Sequence, residues 1–157
     1  MELKLSEIRE LYYGLESIME VESEFDFSYG VAKNRRTLKS YVTHFEEKYK
    51  VVKEYDEYEK ERVKLAYDMA TLDEDGQPII KNQSYVIKAD LRDEFKGKLE
   101  DLKEKFKEAI DKQKELSEKA ENALNEVKQV EIYDISKSIV PKLTIKQMEA
   151  VFLFIKD

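Results

Sequence analysis

Residues able to do chemistry are few in this chain, and they do not converge on a motif. His44 is the only histidine and there is no cysteine, so thiolate metal sites, cysteine nucleophiles and disulfides are excluded. One histidine without cysteine does not make a zinc site of the usual kind. On a helix its neighbours would be Ser40, Tyr41, Glu47 and Lys48, and the expectation is a solvated or partly packed ring. Asp73, Glu74 and Asp75 suggest calcium, but an EF-hand loop counted from Asp73 would need glycine where Pro78 stands and glutamate where Ser84 stands. The segment therefore reads as a turn. Glu100, Glu104 and Glu108 share a helix face on which Lys103 and Lys107 run alongside; this is the pattern of a charged, solvated face.

Two sets of residues remain as binding candidates. Lys33, Arg35 and Arg36 form the one basic cluster near a helix start, where guanidinium groups and helix N–H groups suit a phosphate or an acidic partner. The tyrosines are ten in number with no tryptophan. Tyr41, Tyr49 and Tyr55 fit an apolar seam, whereas Tyr13, Tyr58, Tyr67 and Tyr85 are less easily buried; Tyr58, Tyr67 and Tyr85, with Phe154 near the chain end, are candidate contacts for another protein. Exposed aromatic side chains are enriched at protein interfaces because they offer large area at low entropic cost.

Charge and composition narrow the function classes. Charged residues make up 40% of the 157 positions, with only four glycines and two prolines, so long helices with one wet face each are expected. The net charge of −7 opposes broad binding to a nucleic-acid backbone, which requires clustered cations. Lysines interrupt every acidic row, which argues against mimicry of a phosphate backbone. The start Met1-Glu2-Leu3-Lys4-Leu5 lacks the features of a signal peptide, and no apolar run is long enough for a membrane span. A cytoplasmic protein without a membrane partner and without a cofactor is the expectation.

The elements that would position these residues follow from periodicity. Leu99, Leu102, Phe106, Ala109, Gln113, Leu116, Ala120, Ala123 and Val127 alternate spacings of three and four, a seam of roughly four heptads on a helix over 91–127, with Asp90 as its N-cap. A second stripe predicts a helix over 29–70, about 60 Å long, capped by Ser28 and weakened in the middle by Lys48, Asp56 and Glu59. The two match in length and suggest an antiparallel, coiled-coil-like hairpin, although the same heptads are compatible with a homo-oligomer. Gly76 and Pro78 mark a turn, and residues 79–87 read as a small β-hairpin at the tip. Leu3 and Leu5 alternate with polar residues as a short strand, able to pair with Val130 and Ile132. Ser6 would cap an amphipathic helix to about Glu22, in which Gly14 admits a close neighbour. Thr144 with Gln147 forms a capping box for the last helix. The fold class expected is mainly α, a single domain over 1–157, with 1–22 and 130–157 forming a base of short strands and two short helices.

The order of these elements resembles a family of short helical proteins, without assigned activity, from tailed phages and prophages of Gram-positive bacteria. The residues that carry the resemblance are Leu3-Lys4-Leu5-Ser6-Glu7-Ile8 at the start, a charged helix ending near Tyr67, the Asp73–Pro78 turn and the Tyr85-Val86-Ile87 strand. A helix like Phe95–Leu102, the Glu131-Ile132 strand and the closing segment Leu143–Ile155 complete it. The resemblance implies a phage setting and brings no catalytic residues. Together these readings lead to the expectation of a non-enzyme that binds a host or phage protein stoichiometrically, as an inhibitor of a host defence system or as a virion-assembly accessory. The alternative is a protein that binds or sequesters a small ligand such as a nucleotide, with Lys33, Arg35 and Arg36 on its phosphates.

Overall fold

Segments whose apolar residues recur every three or four positions are helical in the computed structural model, which describes residues 1–157. The protein is mainly helical with small strand pairs. Helix α1 (Leu5–Glu16) buries Leu5, Ile8, Tyr12 and Leu15, one stripe of a 3.6-residue period. Ser6 lies inside its first turn instead of capping it. The backbone N–H of Lys4, the N-cap residue, donates to the Glu7 carboxylate at 2.6 Å, the reach-back that an N3 glutamate makes in a capping box. Gly14 does admit a close neighbour: a Cβ there would stand 3.2 Å from the Ala150 Cβ.

The helix expected over 29–70 is divided in two. Helix α2 (Phe25–Lys48) and helix α3 (Lys53–Asp68) are separated by Tyr49–Val52. The β-branched pair Val51-Val52 lowers helix propensity there, and the Val52 N–H donates to the Gln113 side-chain carbonyl at 2.9 Å. That contact accounts for the polar residue in an otherwise apolar seam. Ser28, expected as a cap, sits inside α2 with its hydroxyl 2.8 Å from that of Ser23. The helix expected over 91–127 begins with a short 3-10 turn at Ala89–Leu91 that contains Asp90. It continues as α4 (Arg92–Lys105) and α5 (Lys107–Leu124), interrupted only at Phe106. Bonds from Phe106 N–H to Leu102 O (3.1 Å) and from Ile110 N–H to Phe106 O (3.0 Å) keep helical spacing on both sides of the break. Val127, the last seam position, is outside the helix and exposed.

Three short strand pairs complete the architecture. β1 (Glu2–Lys4) runs antiparallel to β4 (Val127–Gln129) with Leu3 opposite Lys128, upstream of the register expected with Val130 and Ile132. β2 (Ile80–Lys81) and β3 (Ser84–Tyr85) form the expected hairpin. Its turn residues Asn82 and Gln83 have φ of 48° and 62°, the left-handed geometry a two-residue hairpin turn needs. β5 (Ile135–Ser136) runs parallel to β6 (Ile155–Lys156). Helix α6 (Ile145–Val151) starts with the predicted capping box: Gln147 N–H donates to Thr144 Oγ1, and Thr144 N–H donates to the Gln147 side chain at 3.0 Å.

Residues group into two compact units, Met1–Lys50 with Glu118–Asp157, and Val51–Ser117. The first holds a continuous core that includes Ile8, Leu15, Phe27, Leu38, Val151 and Phe154. In the second, the buried residues are Tyr58, Met69, Ala70 and Ala109. Within the second unit contacts run in reverse order along the chain. Val52 meets Gln113, Tyr58 meets Phe106, Glu61 meets Lys105 and Met69 meets Lys88, so α3 lies antiparallel to the segment formed by α4 and the start of α5.

Candidate functional site

Helix α2 organises the surface of the first unit because its two sides have opposite characters. Its inward side carries Phe27, Val31, Leu38 and Val42, all buried. Its outward side carries Phe25 and Tyr29, with Lys33 one turn further on, at spacings of four that align them along the helix. The Phe25 and Tyr29 rings stack with centroids 5.9 Å apart. The Tyr133 ring meets Tyr29 edge-on at 5.7 Å, and the Lys33 ammonium lies 4.4 Å from the centre of the Tyr133 ring, a cation–π contact. Phe25 is 78% exposed, Tyr29 47% and Tyr133 37%, so three mutually supported rings face solvent.

Two residues of α2 place Tyr133. Asn34, only 1% exposed, donates from Nδ2 to the Tyr133 carbonyl at 2.8 Å and accepts the Tyr133 N–H on Oδ1 at 2.6 Å. Its amide thereby satisfies both backbone groups of that residue as a paired strand would. Gly30, one turn earlier, lets the following residues close in, since a Cβ there would stand 2.7 Å from Ile135 Cγ1.

Beside this aromatic set, a groove of about 500 Å³ runs between α2 and the segment after α1. Ile18, Phe27 and Val31 form its apolar floor, Met19 an exposed wall, and Arg35, Arg36 and Lys39 one end. Arg35 is already engaged: it donates to Glu16 at 3.0 Å and to the Tyr12 hydroxyl at 3.2 Å, and lies over the Tyr12 ring. A second groove of about 430 Å³ on α6 is lined by Leu143, Ile145, Met148 and Phe152. A third, of about 590 Å³, places His44 near Lys48, Glu126 and Lys128. There the ion pair with Lys128 holds the Glu126 carboxyl below the usual carboxylate range. No set of acidic or histidine side chains is arranged to hold a metal ion, and no helix is long and apolar enough to cross a membrane.

The residues proposed from sequence separate into different environments. Tyr58 is buried between Tyr55 and Phe106, and is therefore a core residue, not a surface contact. Phe154 is fully buried. After Val151 the chain tightens into a 3-10 turn at Phe152–Phe154. Positions three apart eclipse in that geometry, so Phe154 falls under Val151 and Phe152 takes the exposed place. Tyr67 and Tyr85 remain at the surface, packed edge-on at 5.7 Å. Lys33, Arg35 and Arg36 do not converge on one point: Lys33 lies on Tyr133, Arg35 on Tyr12 and Glu16, and Arg36 beside Lys39. Phe25, Tyr29, Tyr133, Asn34 and Lys39 were not singled out from the sequence. Phe25, Tyr29 and Lys33 were detectable from their spacing of four; the pairing of Asn34 with Tyr133 spans 99 positions and leaves no local signal.

Comparison with models of known protein families, with curated proteins and with solved structures finds no match.

Proposed function

We propose that the protein acts without catalysis, by binding one other protein stoichiometrically through the aromatic surface of α2. The supporting observation is the exposed stack of Phe25, Tyr29 and Tyr133. Large rings left in water cost free energy that a partner's surface would recover, and rings held by one another lose little further freedom on binding. The phage setting implied by the resemblance gives this reading its biological form. The protein would work in the cytoplasm of a host bacterium as an inhibitor of a defence system, or as an accessory of virion assembly. The long coiled-coil-like hairpin drawn from the heptads belongs to the same reading as a scaffold, supported by the reverse order of contacts within Val51–Ser117.

Affinity capture from infected host lysate tests this. Wild-type protein should recover a stoichiometric partner, and Phe25→Ala with Tyr29→Ala should lose at least about 2 kcal/mol of binding, roughly 30-fold in Kd. Both rings are exposed, so circular dichroism and melting should be unchanged. Equal binding by the double variant would overturn the aromatic surface. A small-ligand reading has support from one observation, a groove of about 500 Å³ ending in Arg35, Arg36 and Lys39, a volume within the range of ligand sites. Tight binding from a nucleotide panel, lost in Arg35→Glu with Arg36→Glu, would favour it.

A further inference from the structure

Charge along α2 departs from the rest of the chain. Acidic residues number 35 in 157, yet none occurs between Asp26 and Glu46, a stretch that carries Lys33, Arg35, Arg36 and Lys39. Elsewhere helix lysines have acidic neighbours one turn away, as in Lys60–Asp56, Lys98–Glu94 and Lys103–Glu100. Of these four cations, Arg35 is neutralised by Glu16 and Lys33 lies on the Tyr133 ring. Arg36 and Lys39 are exposed and form no ion pair within the protein. They stand three positions apart, hence on one face, at the end of a trough whose floor is Phe27, Val31 and Ile18. At the other end are the hydroxyls of Ser23 and Ser28. From Ser28 to Arg36 the trough is about 12 Å long, the rise of eight helical residues.

We propose that this groove receives a short acidic segment of the partner protein, with an apolar side chain packed against the exposed Met19 and carboxylates on Arg36 and Lys39. This deepens the protein-binding reading and rests on it. A bare phosphate leaves the exposed apolar side chain of Met19 in water. A purely apolar ligand buries it but desolvates two cations without compensation. A fatty chain reaching along the trough ends on two hydroxyls, where a peptide backbone finds hydrogen-bonding partners. At this groove nucleic acid meets only Arg36 and Lys39 as unpaired cations, on a protein of net charge −7, too few for affinity that grows with each neutralised phosphate.

Selection of random short peptides displayed against the full chain, followed by binding measurements on the synthetic winners, tests the assignment. Enriched sequences should carry an apolar residue flanked by Asp or Glu. Their affinity should fall about tenfold or more in Arg36→Glu with Lys39→Glu, and also in Met19→Glu, which sets an acid on the groove wall. All three positions are exposed, so folding is retained. The proposal is overturned by failure to enrich any peptide, by enrichment of neutral or basic sequences, or by winners that bind the charge-reversed protein equally well. Preferential binding of a short single-stranded DNA, lost in the same variant, also overturns it. Phe25→Ala with Tyr29→Ala should leave affinity for the short peptide unchanged, because those rings lie outside the groove. Failure of the aromatic surface and failure of the groove are thereby separable.

Discussion

At the scale of single residues, the aromatic surface depends on one buried amide. Asn34 closes both hydrogen bonds of Tyr133 from within the core. Replacing it with leucine strands a backbone N–H and a carbonyl in a part-buried site, each costing about 1–3 kcal/mol. Asn34→Leu should therefore lower stability by about 2–4 kcal/mol in denaturant melts, and the Tyr133 amide should lose hydrogen-exchange protection. A loss below about 0.5 kcal/mol would show that water replaces the side chain at low cost. A second residue-scale effect concerns Glu59. Arg62 grips its carboxylate with three contacts of 2.7–3.2 Å, and these hydrogen bonds hold the carboxyl below its ordinary range. A carboxylate depressed in the folded state stabilises the protein above the unfolded-state value, and that contribution is lost as pH falls through the folded-state value. Both side chains are partly solvated, so the effect is under about 1 kcal/mol. The gap in denaturant midpoint between wild type and Glu59→Gln should be open near neutral pH and close in acid. A gap that widens in acid would contradict the pairing.

Elements were legible where the signal was local. The Thr144–Gln147 capping box, the hairpin at Ile80–Tyr85 and the stripe of α1 from Ile8 to Leu15 stand as their spacing implied; α1 ends at Glu16, short of the Glu22 expected, and leaves Met19 exposed. The heptad positions from Leu99 to Ala123 are the less exposed residues of α4 and α5. What periodicity hid is where long-range contacts win over it. Gln113 takes the Val52 N–H and helps end a helix that the stripe alone would continue, and the 3-10 turn after Val151 holds Phe154 buried and Phe152 exposed. Gly30 is of this kind. Near the start of a helix it reads as a mild weakness, worth about 1 kcal/mol against alanine. With Ile135 against it, it is a requirement for seating the Tyr133–Ile135 segment on α2. Gly30→Ala should thus destabilise by about 1–3 kcal/mol despite its better helix propensity, whereas Gly97→Ala in α4, where a Cβ meets nothing within 4 Å, should stabilise by a few tenths to about 1 kcal/mol. Thermal melts of the two variants should move in opposite directions. A shift upward for Gly30→Ala would mean that Ile135 yields.

At the scale of the whole molecule, the seam that dominates the sequence turns out not to mark the richest core. Heptads from Leu99 onward suggest a long apolar contact, but most of those positions are only half-buried. The continuous core lies in Met1–Lys50 with Glu118–Asp157, assembled from segments far apart in the chain such as Leu15, Phe27, Ile135 and Val151. Contacts of that kind leave no period to read. In Val51–Ser117 the buried residues are Tyr58, Met69, Ala70 and Ala109, two of them alanines with little area to remove from water. Its helices are held in addition by surface pairs such as Lys60–Asp56 and Lys105–Glu61, each worth under about 1 kcal/mol. The two units should therefore open at different free energies. In native-state hydrogen exchange, amides of α3 and α4 should exchange through openings of lower free energy than those of α1 and the middle of α2. Added salt should lower protection in α3 and α4 more, because ion pairs are screened while apolar burial is not. Tyr58→Ala removes the largest buried side chain of its unit and should cost about 3–4 kcal/mol. That should bring α3 and α4 close to full exchange while α1 and α2 keep their protection. Equal loss of protection throughout the chain in Tyr58→Ala would show instead that the two units unfold as one cooperative body.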